Sequence, residues 1–205
     1  MPKIENYAPG WPGTEPTWTS SAKTGLGTAI SATSRIGVTT SHGILNEIYY
    51  PRVDLACTRD MQFLVTDGKS FFAEEKRDTI HEMEMAGDGI PAFRIKNRCC
   101  QDRYQIEKAV VADPHRHVVL QHVKFTAADA GPTDYQLYVL LAPHLGNQGY
   151  GNTAWIDEYK GVPMLFASRG ELAMALACSA GFVCASAGYV GVSDGWHVLS
   201  HYKQL

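Results

Sequence analysis

The sequence predicts an all-β fold, a large antiparallel β-sandwich, and three observations carry that expectation. From residue 29 onward apolar residues recur with period two, so each segment has one apolar and one polar face. These segments are short, and Gly, Pro, Asp and Asn separate them. No internal repeat, low-complexity tract or heptad competes with that pattern.

Taken in order, residues 1–28 read as an extended arm and residues 29–205 as the sandwich. In the arm Pro9, Pro12 and Pro16 alternate with Gly10, Gly13 and small hydroxyl residues, which disfavours both helix and central strand. Trp11 and Trp18 lie within it and are expected to anchor it by burial, with stacking on a carbohydrate as the other use of such rings. In the sandwich Ile30, Ala32, Ile36 and Val38 alternate with Ser31, Thr33, Arg35 and Thr39. Phe93 and Ile95 alternate with Arg94 and Lys96, and Tyr135, Leu137, Val139 and Leu141 share a face. Similar runs occupy 61–66, 103–112, 117–126, 153–159 and 162–167, and Glu171–Ala180, helical by propensity alone, alternates as a strand. Turns are expected at Asp67-Gly68, Gly87-Asp88-Gly89, Asp113-Pro114, Gly131-Pro132 and Gly146-Asn147.

The densest chemistry sits between Ser41 and Asp60. A Ser-His-Gly turn signal leads into a β-rich run, Ile44 to Tyr50, which Pro51 stops by removing a backbone donor. Arg52, Asp54, Arg59 and Asp60 follow. Tyr49, Tyr50, Arg52 and Asp54 combine flat aromatic faces with bidentate hydrogen bonders, a set that suits a polyol. A strand end held by a tyrosine and an internal Arg–Asp pair accounts for the same residues.

Composition narrows the classes. The chain has 205 residues, 45% of them apolar, which is enough for one domain with a real core. With 18 basic and 21 acidic residues and a net charge of −3, no single-sign footprint for nucleic acid or an anionic membrane emerges. No apolar run approaches the roughly 20 residues that span a bilayer. The start, Met1-Pro-Lys-Ile-Glu-Asn, lacks the apolar region of a secretory signal. Five cysteines, with a vicinal pair and no C-x-x-C, argue against a disulfide framework or zinc site and for buried free thiols. A cytoplasmic location is therefore expected, or a secreted one where a leader has been removed.

Other constellations are weaker. His115 and His117 stand two apart near Asp113, but no third ligand has metal-site spacing, so neither a metal nor another cofactor is expected. Ser41 beside His42 does not make a nucleophile and base, since sequence neighbours seldom meet in that geometry. Glu47, Glu74, Glu75, Glu82, Glu84, Glu107, Asp157 and Glu158 include no evident catalytic pair. Glu82 and Glu84 alternate on a solvent face. The stretch Ala142 to Trp155 offers His144, Asn147, Gln148 and Asn152 among glycines, either to a sugar or to its own backbone.

The segments Ala8–Trp18, Ser41–Asp54, Thr58-Arg-Asp60, Leu141–Asn147 and Ala187–Trp196 resemble, in order, the N-terminal domain of bacterial glucoamylases and glucodextranases, glycoside hydrolase family 15. The resemblance implies a super-β-sandwich packed on a separate α/α barrel that carries two catalytic glutamates and releases glucose from α-glucans with inversion. It also implies further sandwich strands, a linker and the barrel beyond Leu205, so the acid and base would lie outside this chain. Gly37, Thr39 and Thr40 depart from the bulky strand expected before Ser41. On this reading Asn46, Tyr49, Tyr50, Arg52 and Asp54 are the candidates for a substrate rim or interdomain surface. The partners implied are the barrel and an α-glucan or oligosaccharide. The rival expectations are a starch-binding module using Trp11, Trp18, Trp155 and Trp196, and a purely structural scaffold. A sandwich lacking strands is also expected to self-associate or to be marginally stable.

Overall fold

A computed structural model describes residues 7–128 and 134–205. Within them the chain forms three antiparallel sheets. The first runs β1 (Gly25–Thr28), β2 (Gly37–Ser41), β3 (Ile44–Tyr49), β4 (Thr58–Thr66), β10 (Gln136–Pro143), with β5 (Phe72–Glu74) against the far end of β4. The second is a meander of β6 (Thr79–Met85), β7 (Phe93–Cys99), β8 (Tyr104–Ala112) and β9 (Val119–Ala127). The third is β11 (Thr153–Tyr159), β12 (Val162–Arg169) and β13 (Leu172–Leu176). A single helical turn, α1 (Glu75–Asp78), joins the first two sheets, and α2 (Gly195–Tyr202) follows the third.

The first two sheets make the sandwich by pressing their apolar faces together. Ile36, Val38 and Leu45 meet Phe93, Ile95, Val110 and Ala112. Farther along, Phe63, Val65, Phe71 and Ala73 meet Cys99, Tyr104 and Ile106. Each fully buried large side chain in such a layer contributes roughly 1.5–3 kcal/mol. The third sheet leans on this body through Ala167, Leu172 and Met174, which pack with Cys57 and Leu145.

One ion pair is sunk in the seam between the two sheets. Lys108 Nζ lies 2.6 Å from Glu75 Oε1, both side chains 0% exposed. Asn97 Nδ2 donates to the same carboxylate at 2.6 Å and to the Gly43 carbonyl at 2.8 Å. Lys108 donates to that carbonyl at 2.7 Å, and the Phe63 amide donates to Glu75 Oε2 at 3.0 Å. The tip of the β2–β3 hairpin is therefore pinned to the opposite sheet. Gly43 has φ +73° and a side chain there would meet Asn97 Oδ1 at 2.3 Å, so both backbone and space require glycine.

The first sheet is covered on its other face as well. In β4 the inward Met61, Phe63 and Val65 alternate with Asp60, Gln62, Leu64 and Thr66, which are all buried, three of them polar. The arm and α2 supply the cover. Lys23 Nζ pairs with Glu47 at 3.0 Å, Lys76 Nζ bonds Thr19, Trp196 Nε1 donates to Glu74 at 2.9 Å, and Thr66 donates to the Lys203 carbonyl at 2.9 Å. Here the departures at β2 gain a reason, because Thr39 Oγ1 bonds the Glu47 carboxylate.

Several expectations change. Residues 25–28 leave the arm and join the sheet as β1. The run 29–36 is a loop, with Ile30 81% exposed, because its alternation has no neighbouring strand to pair with. Trp11 is 79% exposed and does not anchor the arm, whereas Trp18 rests edge-on against His144 at 4.7 Å. Cys57 and Cys99 are buried free thiols, but Cys100, Cys178 and Cys184 are exposed. The helix α2 was not foreseen; Asp194 caps it by accepting from the His197 amide at 3.0 Å. Glu171–Ala180 does contain a strand, β13. The turn expected at Gly131-Pro132 lies outside the described residues.

Candidate functional site

Strand β3 ends at Tyr49, and Pro51, preceded by a cis bond from Tyr50, begins a tight turn. The Tyr50 amide donates to Leu55 at 3.0 Å and the Leu55 amide to Arg52 at 3.1 Å, so the turn closes on itself. At its tip Val53 is 84% exposed. Arg52 grips Asp54 with two bonds, Nε to Oδ1 at 2.9 Å and Nη2 to Oδ2. The guanidinium hydrogen bond holds the Asp54 carboxyl below the usual carboxylate range.

The base of the turn is fixed from a distant loop. Asn147 accepts from the Ala56 amide at 2.7 Å and donates to the Asp54 carbonyl at 2.8 Å, with its own amide bonded to Ala56 at 2.9 Å. Asn152 likewise accepts from Leu145 and donates to Gln148 and Gly149. Of the polar side chains in the Ala142–Trp155 stretch, Asn147 and Asn152 thus serve backbone. His144 is buried, and that burial, then the nearby Arg59, lowers its pKa.

The five candidate residues separate into three environments. Arg52 and Asp54 project into solvent. Tyr50 packs between core clusters and lies against His117, ring centroids 4.7 Å apart, while Tyr49 is half-buried, its phenol pKa raised by burial and by Glu47. Asn46 is 0% exposed, donating to Ser41 Oγ at 2.6 Å, and presents nothing to the surface. His117 accepts from the Arg35 amide at 3.1 Å and His115 belongs to the Asp113 turn, so the two do not form a ligand pair. Ser41 Oγ lies 3.0 Å from His42 Nδ1 but is buried within β2. Glu82 and Glu84 are exposed on β6, with Arg94 3.9 Å from Glu84. Among the described residues no group of three His, Cys, Asp or Glu side chains converges to hold a metal.

Two residues that no sequence expectation covers, Lys108 and Asn97, pin the tip of the β2–β3 hairpin whose second strand leads into this turn. Both interrupt the inward face of a period-two run, Tyr104, Ile106, Lys108, Val110 and Phe93, Ile95, Asn97, Cys99, and that interruption is a readable signal.

A family model described as glucodextranase, domain N, matches residues 8–205. The chain belongs to that family. This N-domain is 36% identical over 194 residues to a glucoamylase from Clostridium sp. (strain G0005), covering 95% of the chain and 28% of that protein. It also superposes on a crystal structure of a bacterial glucoamylase complexed with acarbose, with TM-score 0.95 and 35% identity, covering 97% of the chain and 29% of that one. The N-domain therefore spans less than a third of the length of these relatives.

Proposed function

We propose that the chain is the N-terminal β-sandwich of an inverting, exo-acting α-glucosidase of glucoamylase type, which releases glucose from the ends of α-glucans. The reading is carried by the match to a glucoamylase along 95% of the chain. In such an enzyme one carboxylic acid protonates the glycosidic oxygen while a carboxylate on the opposite sugar face activates water. Both groups belong to a separate α/α barrel, and this chain by itself is inactive. Its part is to support the barrel and to offer the Tyr49–Asp54 turn as an interdomain surface and substrate rim. The exposed, mutually fixed Arg52 and Asp54 suit hydroxyl recognition, since their geometry is set before a ligand arrives.

Tyr50 is a poor probe of that role because it also packs the core. Arg52→Ala and Asp54→Ala in the intact enzyme are the better variants. Each is expected to lower kcat/KM on maltooligosaccharides about tenfold, some 1.4 kcal/mol, with Tm unchanged. Full activity in both variants would remove the turn from the rim and leave the sandwich a scaffold.

A further inference from the structure

Among the described residues the third sheet packs on the body through one face, and its other face carries aromatic side chains. Ala167, Leu172 and Met174 point toward Cys57 and Leu145 in the body. The ladder places Trp155 opposite Phe166, Asp157 opposite Met164 and Tyr159 opposite Val162 on the other face. Trp155 and Phe166 are stacked, centroids 5.4 Å apart with 15° between their planes. Phe166 is opposite Ala175 on its other side, and Ala173 and Ala175 are both exposed, so no bulky side chain closes that flank. Tyr159 is 56% exposed and its ring lies under Lys160 Nζ at 5.2 Å.

We propose that this outer face of the β11–β13 sheet binds a linear α-glucan. Two aromatic residues stand four apart on one edge strand, Trp155 and Tyr159, about 13 Å along it, which is the length of a short oligosaccharide. Pyranose rings carry apolar C–H faces that stack on aromatic side chains, and hydroxyls that need acceptors between them. Asp157, midway along the strand, supplies that acceptor; its Oδ1 takes the Glu158 amide at 2.8 Å, and among the described residues its other oxygen has no partner. With Lys160 Nζ 5.2 Å from the Tyr159 ring and Asp157 on the strand, the face carries both signs and has no net pull on a polyanion, whereas a neutral polyol finds both a donor and an acceptor. The choice of α-linked glucose rests on the function proposed above.

Calorimetric titration of maltoheptaose into the chain tests the face directly. Binding is expected, weakened about tenfold by Tyr159→Ala and by Trp155→Ala and unaffected by Trp11→Ala, whose ring lies in the arm. Binding that survives both sheet substitutions, or no binding to a chain that melts cooperatively, overturns the proposal. In the intact enzyme Tyr159→Ala is expected to raise KM for amylose more than KM for maltotriose, and equal changes would overturn it as well. An enzyme that fails to hydrolyse maltotriose at all would defeat the glucoamylase reading instead, and the titration would still decide the sheet.

Discussion

Lys108 is the residue on which the seam of the sandwich turns. Burial pushes its pKa down while Glu75 pushes it back up, so the charge persists only through its partners. Lys108→Met would strand the Glu75 carboxylate in a dry site at a cost of about 3–5 kcal/mol. The Lys108→Met/Glu75→Gln double variant is expected to recover much of that in urea melts; a double variant no better than the single one would show the pair is not coupled. His144 makes a second residue-level prediction. Its pKa is lowered in the fold, so its neutral form is the one the folded chain prefers. The unfolded chain then binds the extra proton first, and stability is lost as pH falls below about 6.5 through the folded value. Unfolding midpoints should decline across that window, and His144→Gln should flatten the decline. Both sites were partly legible. A lysine amid Tyr104, Ile106 and Val110 announces a buried charge, but which acid answers it depends on a pairing between distant segments that no local pattern encodes.

Among elements, the strands with a clean alternation, such as β7 and β8, could be read directly because one face is core and the other water. The first sheet could not, since β2 is buried throughout and Asp60, Gln62 and Thr66 sit beneath other parts of the chain. Polar residues there look like a solvent face until their cover is known. The arm and α2 are that cover, and the arm's path is set by contact: a side chain at Gly149 would meet Pro16 at 2.2 Å. Gly149→Val is therefore expected to lift the arm and speed proteolytic cleavage near Lys23, while the melting of the sandwich shifts little. Cleavage at the parental rate would mean the arm is held elsewhere. The short helix α2 left one usable sign, Asp194 ahead of Gly195, a capping residue before a turn of helix.

For the whole molecule, the open question is what its sheet edges do. β10 borders the first sheet, with β4 on one side, and carries Leu137, exposed, along that edge. An edge strand with unpaired backbone groups recruits another chain unless charge or proline blunts it. Sedimentation is expected to show concentration-dependent association of the 205-residue chain, reduced by Leu137→Lys. A monomer at every concentration would contradict it. The arm behaves in the opposite way. Thr14 bonds Val190 at 2.9 Å and Ser193 bonds the Pro9 carbonyl at 2.8 Å, so the arm is tied to the loop ahead of α2, far away in sequence. Beneath the arm and α2 lie Asp60, Gln62 and Thr66, but also Leu64 and α2's own Leu199, these two each 1% exposed. If that covering peels back, hydrocarbon is bared together with the polar groups, so the arm and α2 shield the sheet from neighbouring molecules as well as from water.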